Sequence, residues 1–131
     1  MNGKRVLVVD DEIHIVHVVA IKLRNNGYEV ISAHNGADAF ELACKHQPDI
    51  IVTDFQMPVM TGMELVEKLR KNEGTKEIPI IMLTARSFSI SKEQQEQFQI
   101  SDCLSKPFSP RELLSNIEDI LYQKKIVVNN S

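Results

Sequence analysis

The 131-residue sequence predicts an α/β domain in which five parallel strands form one doubly wound sheet, covered on both faces by five helices. Three observations predict it. A short apolar strand followed by a helical pattern recurs five times in about 120 residues. The strands are continuously apolar rather than alternating, the pattern of strands buried on both faces in a parallel sheet. Several of them end in polar residues capable of chemistry, and right-handed crossovers place all strand carboxyl ends on one edge.

Residues 4–10, KRVLVVD, read as the first strand, ended by acids. From Glu12 to Asn26 the pattern is helical, with Ile13, Val16, Val19, Ala20 and Leu23 on one stripe and Asn26-Gly27 as the stop. Ile15, Val18 and Ile21 widen that stripe, so this helix is either broadly buried or presents a contact surface. Tyr28 to Ala33 reads as the second strand, and Asn35 as the N-cap of a helix reaching about Lys45. Pro48-Asp49 turns the chain into a third strand, residues 50–54. Thr61 and Glu64 have capping-box spacing and open a helix with Leu65, Val66 and Leu69 inward.

The fourth strand is Pro79 to Thr84, with proline tolerated at its beginning. Between Arg86 and Gln99 the run SKEQQEQ has almost no apolar stripe. It predicts a marginal helix anchored by Ile90 and Phe98, with Ser91 and Gln94 at capping-box spacing. Residues 101–105 form a short fifth strand. Ser109-Pro110-Arg111-Glu112 combines an N-cap, a first-turn proline and an acid at the third helical position. Leu113, Leu114, Ile117, Ile120 and Leu121 then give the buried stripe of the last helix. The domain is expected to occupy residues 1–123, with 124–131 as a flexible tail or linker.

Composition narrows the function classes. Hydrophobic residues make up 43% and charged residues 25%, ordinary for a soluble domain, and a net charge of −3 gives no pull toward nucleic acid or membrane. No apolar run approaches the roughly 20 residues of a membrane span, and the amino-terminal residues lack a secretory pattern. Cys44 and Cys103 have no metal-ligand spacing and two thiols make no disulfide framework, so a reducing cytoplasm is the expected setting. His14, His17, His34 and His46 form no recognisable ligand set. No Gly-x-Gly-x-x-Gly and no Walker lysine loop is present, so nucleotide binding lacks its usual signature.

The candidate site comes from the strand ends. Asp10-Asp11, Asp54, Thr84 and Lys106 would converge at the edge where open α/β sheets bind ligands. Three carboxylates gathered there repel one another, and a hard divalent cation removes that penalty. A carboxylate can also serve as nucleophile and form an aspartyl-phosphate. A lysine would neutralise phosphate oxygens and a threonine hydroxyl would donate another hydrogen bond. The combination describes a phosphate and divalent-metal site. Each residue taken alone has a plainer reading, as a strand cap, a helix-dipole acid or a solvated lysine.

Taken together, VLVVDDE, DIIVTDFQMPVMTG, IPIIMLTA and LSKPF resemble the receiver domain of two-component response regulators, over about residues 4–122. The resemblance implies a flavodoxin-like sheet in the order 2-1-3-4-5. It implies that Asp54 is the phosphoacceptor, taking a phosphoryl group from a histidine kinase or histidine phosphotransfer protein. Asp11 would bind Mg2+ directly and Asp10 through water, with Asp54 and the backbone carbonyl of Gln56 as further ligands and Mn2+ as a substitute. Thr84 would be the switch hydroxyl and Lys106 the phosphoryl contact, with a cis Lys106-Pro107 bond. Arg86, like Gln56, stands where the family tunes water access to the phosphate. The sequence departs from the family at Cys103, which occupies the place of the usual switch aromatic on the fifth strand.

The expected role is a phosphorelay signalling switch, not an enzyme, acting on an unnamed output protein without contacting nucleic acid or membrane itself. Two alternatives stand beside it. One is a binding module of the same fold that works without phosphorylation. The other is a magnesium-dependent aspartyl-phosphate phosphatase, against which the Asp10-Asp11 spacing and the missing second acid in Asp54-Phe55-Gln56 both count.

Overall fold

The computed structural model describes residues 3–85 and 90–130. Strands β1 (Arg5–Val9), β2 (Glu29–Ala33), β3 (Ile50–Asp54), β4 (Ile80–Thr84) and β5 (Asp102–Ser105) alternate with helices α1 (Ile13–Arg24), α2 (Gly36–His46), α3 (Gly62–Lys71), α4 (Lys92–Gln97) and α5 (Pro110–Asn130). The sheet order is β2-β1-β3-β4-β5 and every pairing is parallel, as the resemblance implied. Helix α5 continues through the segment that the sequence reads as a tail.

Alternate residues of each central strand feed opposite cores, which is why the strands carry no polar face. Val6, Val8, Ile50, Val52, Ile81 and Leu83 point toward α1 and α5, meeting Val16, Val19, Leu23, Leu113 and Ile117. Leu7, Val9, Ile51, Ile80 and Met82 face the other way, toward Ala39 and Ala43 of α2 and Leu65, Val66 and Leu69 of α3. The predicted stripes are thus the buried ones, with one correction. Ile13, placed by its spacing on the inner stripe of α1, is 69% exposed. It is the first residue of the helix and belongs to neither core cluster, so nothing covers it. Val18 and Ile21 are also about half exposed, at 49% and 47%, so α1 is not broadly buried.

The helix starts follow the predicted chemistry. Asn35 Oδ1 accepts from the Asp38 amide at 2.8 Å. The Thr61 box is complete, Oγ1 accepting from Glu64 N at 3.1 Å and Glu64 Oε1 from Thr61 N at 2.8 Å. Ser109 Oγ accepts from Glu112 N at 3.0 Å. At α4 only half of the predicted box forms. Ser91 Oγ accepts from Gln94 N at 3.1 Å, but the Gln94 side-chain Oε1 accepts from Ser91 Oγ at 3.4 Å instead of taking the N-cap amide.

Candidate functional site

Parallel pairing with the observed register brings the strand ends together. Asp10 follows β1 directly, and its amide donates to Ala33 O at 3.2 Å. Asp54 is the last residue of β3, facing Leu83, and Thr84 closes β4 one step further on, facing Ser105. Lys106 follows β5, and its amide donates to Thr84 O at 2.7 Å. The Lys106-Pro107 bond is cis.

The side chains converge as the spacing predicts. Carboxylate oxygens of Asp10, Asp11 and Asp54 lie within 4.8 Å of one another, with Asp10 and Asp54 buried and Asp11 exposed. Lys106 Nζ stands 2.9 Å from Asp10 Oδ2, 3.2 Å from Glu12 Oε1 and 3.3 Å from Asp54 Oδ1. Burial raises the Asp54 pKa to about 6, the Asp10 charge pushes the same way, and Lys106 offsets only part of this. Asp10 is raised as well, first by burial. Burial alone would lower the Lys106 ammonium pKa, but Asp10, Asp54 and Glu12 together outweigh it and the net shift is upward.

These acids fit a hard divalent cation. Asp10 Oδ2 is buried and faces the Lys106 ammonium at 2.9 Å. Lys106 alone compensates the two buried acids only in part, since both keep raised pKa values, and a second cation would offset the rest. Oxygen donors from two buried acids and one exposed acid are the kind that magnesium or calcium takes.

Other predicted residues are placed less completely. Thr84 is buried, 3% exposed, at the end of β4. Gln56 is exposed two residues past Asp54, where the chain leaves β3. Cys103 is half-buried on β5 opposite Met82 and packs against the α2–α3 core; burial, then Asp102, raises its thiol pKa. Arg86 lies outside the described residues. Two contacts were not foreseen. His34 Nδ1 lies 3.3 Å from the Asp10 carbonyl, and Glu12 reaches Lys106 across 94 residues of chain. Glu12 was visible within VLVVDDE, but its partner depends on the closure of the sheet and has no local signal.

An apolar groove adjoins the acids. It is lined by Ile15 and Val18 of α1, by Ala85, and by Pro107 and Phe108 after β5, and it shares Glu12 and Lys106 with the site.

Comparison with known proteins agrees with this geometry. Residues 6–118 match the model of the response regulator receiver domain. The chain is 40% identical over 121 residues, 92% of its length, to the phosphate regulon transcriptional regulatory protein PhoB of Pseudomonas aeruginosa, and spans about half, 53%, of that relative. Among solved structures it is similar to the chemotaxis response regulator CheY4 of Vibrio cholerae, with 37% identity, 91% and 99% of the two chains covered, and a TM-score of 0.83. It is also similar to the receiver domain of a sensor histidine kinase from Pseudomonas aeruginosa, at 31% identity, 89% and 96% coverage and a TM-score of 0.79; that structure has a magnesium ion coordinated in its active site cleft. With its motifs, sheet order and acid cluster all matching, the chain belongs to the receiver domains of two-component response regulators.

Proposed function

We propose that the chain is a phosphorylation-controlled switch in a two-component phosphorelay, with Asp54 as phosphoacceptor. The observation that carries this reading is the lysine-bridged carboxylate cluster at the carboxyl edge of the sheet. An Asp54 carboxylate oxygen attacks the phosphorus of a phosphohistidine on a histidine kinase or phosphotransfer protein. The P–N bond breaks, the imidazole leaves with a proton, and an acyl phosphate remains on Asp54. Lys106 and the Thr84 hydroxyl then hold phosphoryl oxygens, the first as a point charge and the second as a donor. Asp10, Asp11, Asp54 and the Gln56 carbonyl would hold Mg2+, or Mn2+ in its place, which neutralises charge on the transferring phosphoryl group.

The groove between α1 and the segment after β5 is the face offered to the phosphohistidine-bearing partner. It opens directly onto Lys106, and Ile13, Val18 and Ile21 extend the exposed apolar surface along α1. Among the described residues no helix is long and apolar enough to cross a membrane. The output is switched binding of another protein, Cys103 and Arg86 being positions that tune the switch, with no turnover of an external substrate.

Intact mass after incubation with acetyl phosphate or phosphoramidate tests the reading. The expected result is a gain of one phosphoryl group that requires Mg2+ and is lost in Asp54→Ala. Absence of any gain from either donor, in protein that binds Mg2+, would leave the phosphorylation-independent module as the better account.

A further inference from the structure

An ammonium carries three N–H donors, and three carboxylates surround that of Lys106. Glu12 differs from the other two. It stands outside the group of three acids whose oxygens lie within 4.8 Å of one another, and its side chain is 46% exposed on the groove side of the site. Its backbone is nevertheless fixed by the site, because the Glu12 amide donates to Asp10 Oδ1 at 3.0 Å. Its second oxygen faces His14 Nε2 at 3.7 Å.

A divalent cation and the Lys106 ammonium want the same oxygens of Asp10 and Asp54, and the two positive charges repel at such distances. Without another anion nearby, the ammonium must either stay and weaken the cation or leave for solvent. We propose that Glu12 is a positioning residue that draws the Lys106 ammonium toward the mouth of the site, freeing Asp10 and Asp54 for the cation while keeping the ammonium within reach of the acceptor oxygen. The proposal rests on the phosphoacceptor reading above and adds to it the residue that sets competition between metal and lysine.

The test is a double-mutant cycle on Mg2+ affinity, measured by calorimetry on the full chain for wild type, Glu12→Gln, Lys106→Met and the double variant. Glu12→Gln is expected to weaken Mg2+ about two- to fivefold, the scale of a half-exposed ion pair, and to lose most of that effect when Lys106 is already methionine. An equal loss in both backgrounds, or none, would overturn the proposal, since Glu12 would then act only as one more charge or not at all. A second readout needs no metal. The 15N-detected ammonium signal of Lys106 should shift in metal-free Glu12→Gln while the remaining amide spectrum stays in place, and an unmoved signal would also overturn it. Failure of the wild type to bind Mg2+ would sink the phosphoacceptor reading and the metal competition with it, an outcome distinct from binding without coupling.

Discussion

Helices α3 and α4 flank the same end of the sheet but are held in different ways. Helix α3 has ten residues, buries Leu65, Val66 and Leu69 completely, and begins with a complete capping box. Each such buried side chain contributes roughly 1.5–3 kcal/mol. Helix α4 has six residues, none of them buried, and its apolar anchors among the described residues are Ile90, Phe98 and Ile100 on its flanks. The strand that ends in Asp54 is therefore backed by a firmly packed helix, while among the described residues the region across β4 is held by few apolar contacts. Low-stability elements are where switching proteins find their moving parts. A site that must keep its geometry while signalling its state benefits from this division.

The largest expected effect lies on the firm side. A Cβ on Gly62 would strike the Asp54 carbonyl oxygen and crowd Met82 Sδ, and backbone cannot yield as a side-chain tip can. Gly62→Ala should cost about 3 kcal/mol or more in denaturant unfolding and also displace Asp54. A cost below 1 kcal/mol would show that the β3–α3 junction is no more rigid than α4.

Next is Asp54 itself, whose burial makes the firm side costly in charge. Its folded pKa is about 6 against the ordinary aspartate value of 3.8, so the folded state binds the extra proton between those values. Stability from this group is present below about pH 4 and is lost as pH rises through about 6. The stability gain of Asp54→Asn over wild type should therefore grow by about 2 kcal/mol from pH 4 to pH 7 in metal-free protein. It should shrink when Mg2+ is added to both. A gain that is flat with pH would mean that Asp54 is ionised at no cost.

The weak side is tied to α3 by an arginine. Arg70, in the last turn of α3, donates to the carbonyls of Phe98 at 2.8 Å, Gln99 at 3.0 Å and Lys76 at 2.9 Å, with Thr75 O at 3.5 Å. Burial lowers its pKa, and those carbonyls take the place of a carboxylate partner. Arg70→Met should cost about 2 kcal/mol through the carbonyls it strands. Amide exchange should speed up across α4 and residues 98–100 while α3 stays protected. Lysine should rescue little, because a point charge cannot reproduce the planar fork. Exchange that rises equally in α3 and α4 would erase the distinction between them.

What was legible in the sequence follows the same division. Strands β1, β3 and β4 were readable because burial on both faces gives each an uninterrupted apolar run, and α3 because its stripe and box agree. The converging Asp10, Asp11, Asp54 and Lys106 were readable because parallel topology forces strand ends to one edge. Arg70 was invisible, since its partners are backbone carbonyls, which have no letter in a sequence. The pairing of Glu12 with Lys106 was hidden by chain separation. Ile13 was misplaced because periodicity assigns a face without knowing where the sheet ends.

The smallest effects compare the two caps directly. Thr61 and Ser91 each accept an amide hydrogen bond at 3.1 Å, so local geometry alone would make them equal. Of the two, only Thr61 has the reciprocal bond, its amide donating to Glu64 Oε1, and only α3 is packed tightly enough for its end to open with the whole domain. Thr61→Ala should therefore cost about 1 kcal/mol of global stability. Ser91→Ala should cost about half as much in the unfolding midpoint but accelerate exchange in α4 more than Thr61→Ala does in α3, because a six-residue helix without buried side chains opens by itself. Equal global costs with unaltered exchange in α4 would show that this short helix unfolds only with the core, and the contrast between the two sides of the site would fail.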